Sequence, residues 1–113
     1  MEADINNKHI QVDNIPKVSI GMPTYNRPQG LKRALKGIVE QTYQNLEVIV
    51  SDNASPGDEV ETVVCEFMLC DARIQYYQQA ENFGPEYNFQ FVLDRATGDF
   101  FMWTSDDDWR APQ

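Results

Sequence analysis

Hydrophobic and polar positions along this chain alternate between two kinds of pattern. "KVSIGMP" (17–23) is a short apolar, β-branched run closed by Gly and Pro, which predicts a buried strand. Behind it, Pro28 suits a first helical turn, and Leu31, Leu35, Ile38, Val39 and Thr42 recur at helical spacing. An amphipathic helix over 28–42 follows. "LEVIVSD" (46–52) predicts a second buried strand, and "NASPGDE" is turn chemistry with helix-capping acids. Val60, Val63, Val64, Phe67 and Met68 sit three and four apart and predict a helix over 57–70. "RIQYYQQ" (73–79) reads as a third strand and "AENFGPEY" as a loop. A third helix is expected over Asn88–Ala96, with Phe89, Val92, Leu93 and Ala96 facing inward, before "DFFMWT" (99–104) supplies a fourth strand.

Strands and helices that alternate in this way build an α/β fold. The expectation is a Rossmann-like parallel sheet, strand order 3-2-1-4, with helices on both faces. Residues 1–16, "MEADINNKHIQVDNIP", lack periodicity and end at a proline, so they read as an N-terminal tail before a single domain over 17–113. There is no internal repeat and no low-complexity segment.

Composition narrows the partners. Of 113 residues, 42% are apolar, enough for a packed core. Lys plus Arg number 9 against 18 Asp plus Glu, a net charge of −9. A nucleic-acid backbone demands a basic face, so no nucleic acid is expected as partner, nor an anionic membrane surface. An acidic chain can still hold a phosphorylated ligand through backbone amides, helix N-termini or a metal. No stretch approaches the ~20 apolar residues that span a bilayer. Cys65 and Cys70 read as reduced, buried thiols, which places the chain in the cytoplasm. The single histidine, His9, lies in the tail, so histidine-based catalysis and a Cys/His zinc site are both disfavoured.

Three polar clusters follow strands: "TYN" (Thr24–Asn26), "SDN" (Ser51–Asn53) and "SDDD" (Ser105–Asp108). With the order 3-2-1-4 the strand order reverses between strands one and four, and all three clusters face one crevice. Adjacent carboxylates repel, so the run Asp106, Asp107, Asp108 needs either a solvated turn or a divalent cation. Mg²⁺ or Mn²⁺ suits oxygen ligands at a strand end and shares them with a substrate's phosphates. Tyr25 could stack a flat base, and Asp52 could accept a hydrogen bond from an N–H of that base. Taken singly, Tyr25 is equally a surface aromatic and Asp52 a helix-capping acid.

"VSIGMPTYNRP", "LEVIVSDNAS", "ENFGPEYN" and "GDFFMWTSDDDW" together resemble the N-terminal half of family 2 glycosyltransferases, which have the GT-A fold. The resemblance covers 17–113 and implies a truncated GT-A fold that binds a nucleoside-diphosphate sugar, UDP-sugar favoured, with Mn²⁺ or Mg²⁺. It places Pro23, Tyr25 and Asn26 in the nucleotide pocket, with Tyr25 stacked on the base and Asp52 contacting it. Asn82, Gly84 and Asn88 match the family's Asn-x-Gly loop and the Asn after it, near the donor. The family's acidic metal motif falls on "SDDD". Aligned on Trp109, its first Asp falls on Ser105 and its later acids on Asp107 and Asp108, the metal ligands, with Asp107 favoured; Asp106 then faces the ribose. The resemblance also implies a further hundred or more residues carrying the acceptor site and the general base of inverting transfer. No residue here matches that base, so the chain is expected to be a donor-binding half, and a fourth strand left as a sheet edge invites homo-oligomers.

Other classes fit less well. A phosphoacceptor receiver domain wants an acid pair after strand one, where "PTYN" stands. A dinucleotide-binding oxidoreductase wants Gly-x-Gly-x-x-Gly there. A calcium loop wants acids at alternate positions, then a Gly and a distal Glu. The remaining alternative is a non-catalytic fragment or interaction module with a vestigial nucleotide pocket.

Overall fold

The computed structural model describes residues 15–106. Four strands and three helices alternate: β1 (Val18–Thr24), α1 (Pro28–Val39), β2 (Leu46–Asp52), α2 (Glu59–Cys70), β3 (Ile74–Gln78), α3 (Pro85–Arg95) and β4 (Phe100–Trp103). The strands form one sheet in the order β3-β2-β1-β4, every neighbouring pair parallel, as the alternation requires. Registers run Val18 against Leu46 and Phe100, and Val48 against Ile74.

Strand side chains alternate between two faces of different character. Ile20, Met22, Val48 and Val50 point to one face, where α1 contributes Leu31, Leu35 and Ile38 and α2 contributes Val60 and Val64. This is the hydrophobic core, and β2 is buried along its whole length. The other face belongs to α3. Its middle is apolar and tight: a Cβ on Gly21 would lie 2.6 Å from the Phe101 ring and 2.8 Å from Val92. Its two ends are polar and buried. Ser51 and Asn88 meet at the carboxyl end of the strands, and Ser19 and Glu47 at the amino end.

That second face corrects the expected packing of α3. Asn88 and Val92, one turn apart, are the buried pair, whereas Phe89 and Leu93 are exposed. A helix on a face made of Ser, Gly and Ile has room for a small apolar residue and a use for an amide. α3 also begins at Pro85, three residues before the expected Asn88. Gly84 takes φ +96°, which an L side chain resists, and Pro85 opens the helix with its preset φ. Phe91 meets Tyr77 edge-on and has Tyr87 as a second ring neighbour, with Arg95 lying 4.2 Å from the Phe91 ring centre.

Other boundaries shift less. α1 ends at Val39 rather than 42, and the residues beyond it tie the chain to the segment before β1. The Tyr43 hydroxyl donates to the Pro16 carbonyl and the Asn45 amide to the Ile15 carbonyl. α2 starts at Glu59, and Met68 lies outside its buried stripe. Cys65 and Cys70 are exposed on that helix, not buried as expected; Val60 and Val64 are buried and Val63 and Phe67 pack beside them against the core. β4 is a sheet edge among the described residues, with Phe100, Met102 and Trp103 exposed. No helix of the described residues is long and apolar enough to cross a membrane.

Glu47 fastens the amino end of the sheet. One carboxylate oxygen accepts from Ser19 Oγ at 2.5 Å and from the Thr97 amide at 2.6 Å. The other accepts from Gln75 Nε2 at 3.3 Å and faces Lys17 Nζ at 3.4 Å. Gly98 must be glycine for the α3–β4 turn to reach this point, since a Cβ would lie 2.7 Å from the Lys17 carbonyl. Burial alone would push the Glu47 carboxyl up. The bonds from Ser19 and Thr97 and the Lys17 charge outweigh it, holding the pKa at about 2 against an ordinary 4.5.

A depressed carboxylate contributes stability that is fully present above its unfolded pKa and drains away as pH falls through the folded one. Urea titrations of the wild type are therefore expected to lose midpoint between pH 4.5 and 2. Glu47→Gln is expected to be less stable by about 2 kcal/mol at neutral pH, with a flatter profile in that acid window. An identical pH profile for the variant would remove Glu47 from this role.

Candidate functional site

The strand order turns at β1: β2 lies to one side of it and β4 to the other. The chain leaving β1 turns toward α1 on one face, and the α3 N-terminus covers the opposite face. A cleft of about 330 Å³ opens at the carboxyl ends of the strands. Pro23, Thr24, Tyr25 and Arg27 line it from the first strand and its loop, Asn53 from the second, Asn82, Pro85, Asn88 and Phe89 from around α3, and Asp106 from beyond β4.

Thr24 joins the two sides of the reversal, its hydroxyl donating to Asp106 Oδ2 at 2.6 Å. Burial pushes the Asp106 carboxyl above its usual range; the Thr24 bond, the Arg27 charge and backbone bonds oppose this without cancelling it. The backbone here is as close as the side chains. Gly30, in the first turn of α1, is packed so tightly that a Cβ would lie 1.9 Å from the Asp106 carbonyl oxygen. Only a residue without a side chain lets the segment after β4 settle on α1.

Two loops are held as a unit. Asp52 is buried; its Oδ1 accepts from the Ser55 amide at 3.0 Å and from Ser55 Oγ at 2.6 Å, while Oδ2 accepts from the Tyr76 hydroxyl at 3.1 Å. Burial raises the Tyr76 phenol pKa, and the Asp52 charge and bond raise it further. Ser55 Oγ in turn accepts from the Asn26 amide at 2.7 Å, which ties the loop after β1 to the loop after β2. Asn26 holds φ +54°, a left-handed conformation that Asn tolerates, and Ala54 holds φ +67°. On the far side, Asn53 Nδ2 donates to Asn82 Oδ1 and to the Gly84 carbonyl, and its Oδ1 accepts from the Phe83 amide. Asn88 Nδ2 donates to the Ser51 carbonyl at 2.9 Å and the Thr24 carbonyl at 3.4 Å, and its Oδ1 accepts from Ser51 Oγ at 2.6 Å.

Of the residues singled out in the sequence, Pro23, Tyr25, Asn82, Asn88 and Asp106 therefore line one cleft. Asn26, Asp52 and Gly84 stand behind its walls, where their bonds fix the loops. Asp107 and Asp108 lie outside the described residues. Among the described residues no three His, Cys, Asp or Glu come together to hold a metal ion; Asp106 is the one carboxylate among those that line the cleft. Sequence reasoning passes over Arg27, Pro85 and Phe89. A lone Arg before a proline reads as surface charge, and only the topology sets it opposite Asp106. The helical period of Phe89 points to the core, not to the cleft.

The Glycosyl transferase family 2 profile matches residues 19–113. A β-1,3-glucosyltransferase of Campylobacter jejuni, named for its substrate GalNAc(5)-diNAcBac-PP-undecaprenol, is 40% identical over 95 residues, 83% of this chain and 30% of that protein. Among solved structures, the mannosyltransferase PcManGT of Pyrobaculum calidifontis, in complex with GDP-Man and Mn²⁺, superposes with a TM-score of 0.74 at 29% identity, covering 81% of this chain and 28% of the other. TarS 1–349 of S. aureus with UDP-GlcNAc superposes with a TM-score of 0.71 at 26% identity, covering 80% of this chain and 26% of the other. The chain belongs to glycosyl transferase family 2, and its sheet and helices are a part of the GT-A fold. It spans less than a third of the length of these relatives.

Two glycines of α1 give opposite expectations. A methyl group on Gly37 would meet nothing within 4 Å, so Gly37→Ala should stabilise by about 0.5–1 kcal/mol through helix propensity. Gly30→Ala should instead destabilise by about 1–3 kcal/mol, because the obstacle is backbone. Urea midpoints decide; a stabilised Gly30→Ala would mean that the segment after β4 does not rest on α1.

Proposed function

We propose that this chain is the donor-binding region of an inverting glycosyltransferase, taking a nucleoside-diphosphate sugar together with Mn²⁺ or Mg²⁺. The observation that carries this reading is the meeting of Tyr25, Asn82 and Asp106 in one cleft at the point where the strand order reverses. Family membership supplies the reaction class, and relatives in complex with GDP-Man and UDP-GlcNAc support a nucleotide sugar as ligand.

In this reading the Tyr25 ring, 44% exposed, stacks on the base. Asp52 is buried behind the cleft wall with one Oδ2 lone pair left beyond its bonds to Ser55 and Tyr76, so for it to read a base N–H, with uracil favoured, the base must reach past that wall. Asp106 faces the ribose, Asn82 and Gly84 shape the wall beside the sugar, and Asn88 positions rather than touches. Asp107, with Asp108, would hold the divalent cation, which when bound would offset charge on the departing diphosphate. The sugar's anomeric carbon is attacked directly by an acceptor hydroxyl as the bond to the diphosphate breaks. The general base that takes the hydroxyl proton is not assigned to any residue of this sequence. Two exposed thiols suit a reducing compartment, and the reading keeps the chain in the cytoplasm.

Calorimetry with UDP and Mn²⁺ is the direct test. Binding heat is expected, with affinity about tenfold lower in Tyr25→Ala and a clear loss in Asp107→Ala. No heat with UDP or GDP would instead favour an interaction module with a vestigial pocket. We also propose that the β4 edge pairs copies of the chain through Phe100, Met102 and Trp103. Light scattering should show mass rising with concentration, and Met102→Lys should suppress the rise; a monomer throughout would refute the pairing.

A further inference from the structure

The cleft poses an electrostatic problem that its neutral residues do not solve. A diphosphate must settle beside Asp106 in a chain of net charge −9, with two more aspartates next in sequence. Sites of this kind in α/β folds usually meet phosphate with the free N–H groups at a helix start. Here both helices that begin at the cleft open with a proline, Pro28 in α1 and Pro85 in α3, so each has lost a donor at its first position. The first turn of α1 is further occupied by the Asp106 carbonyl packed on Gly30, and the first turn of α3 already holds an acid, Glu86.

Arg27 is the one cation among the described residues that line the cleft. Its backbone is anchored, the carbonyl accepting from the Leu31 amide at 2.9 Å as α1 begins. Its side chain is exposed, and among the described residues its guanidinium is held by no hydrogen bond or ion pair; the charge it faces is that of Asp106. A guanidinium offers two parallel N–H groups that match a phosphate edge, and it stays charged at any working pH.

We infer that Arg27 binds the diphosphate of the donor and allows the cleft to take a nucleoside diphosphate before any divalent cation arrives. The inference rests on the donor-site reading above and adds to it a residue and an order of events. Without metal, Arg27 is the counter-charge for both Asp106 and the diphosphate. With metal, that load is shared, so loss of Arg27 matters less.

The test is calorimetry on the whole chain with uridine, UDP and inorganic pyrophosphate, each in Mn²⁺ and in EDTA, for wild type, Arg27→Gln and Arg27→Lys, with circular dichroism to confirm that each variant melts as the wild type does. Arg27→Gln is expected to weaken UDP and pyrophosphate about tenfold in EDTA, to weaken them less in Mn²⁺, and to leave uridine unchanged. Arg27→Lys should fall between the two. Equal UDP affinity for wild type and Arg27→Gln in EDTA overturns the inference and leaves the donor site standing, as does a parallel fall in uridine affinity, which would make Arg27 a structural residue. A wild type that binds none of the three probes overturns the donor site and the inference together.

Discussion

The cleft depends on one topological constraint: β1 is flanked by β2 on one side and by β4 on the other, and the chain departs from it in opposite directions. Right-handed crossovers between parallel strands allow this reversal at one place in the sheet. At that place the chain leaving β1 turns toward α1 while α3 covers the opposite face, which leaves a crevice at the carboxyl ends even though β1 and β2 stay paired as far as Thr24 and Asp52. The bond from Thr24 to Asp106 spans it, and Gly30 lets the chain after β4 come close enough for that bond to form.

Around this opening the molecule divides its chemistry by face. The side under α1 and α2 is apolar and supplies most of the stabilising burial. The side under α3 is apolar only at its centre, where Gly21, Ile49 and Val92 meet, and polar at both ends. At the amino end Glu47 binds β1, β3 and the α3–β4 turn into one rigid base. At the carboxyl end Asn88 and Ser51 hold α3 against the strands while sparing Asn82 and Phe89 for the cleft. Among the described residues no buried side-chain polar atom is left without a partner, so this polar scaffold can be stiff.

The elements packed on the apolar face are legible from the sequence, because β-branched runs and the spacing Leu31, Leu35, Ile38 report burial against other apolar groups. The parallel sheet follows from the alternation of elements, whereas the order 3-2-1-4 enters as a premise under which the polar clusters share one crevice; the sheet has that order. α3 defeats that kind of reading for a physical reason. Periodicity finds a buried face by its hydrophobicity, and this helix buries an asparagine. Its true start is written in Gly84 and Pro85, a left-handed turn followed by a helix opener. The exposure of Cys65, Cys70 and Met68 is likewise hidden, since Val60, Val63, Val64 and Phe67 already supply the face that seats α2. In the site, Tyr25 and Asp106 announce themselves by residue type. Asp52 does so as well, but its bonds to Ser55 and Tyr76 belong to loop geometry that no linear spacing encodes. Arg27 gains meaning only from the three-dimensional arrangement.

The central claim is that the reversal between β1 and β4 makes a nucleotide pocket. Amide chemical-shift mapping of the chain with UDP and Mg²⁺ addresses it residue by residue. The account predicts saturable shifts gathered on Tyr25, Arg27, Asn53, Asn82 and Asp106, with the Glu47 end of the sheet silent. Shifts absent at saturating UDP, or gathered on the outer surface of α2 or the amino end of the sheet, would contradict it.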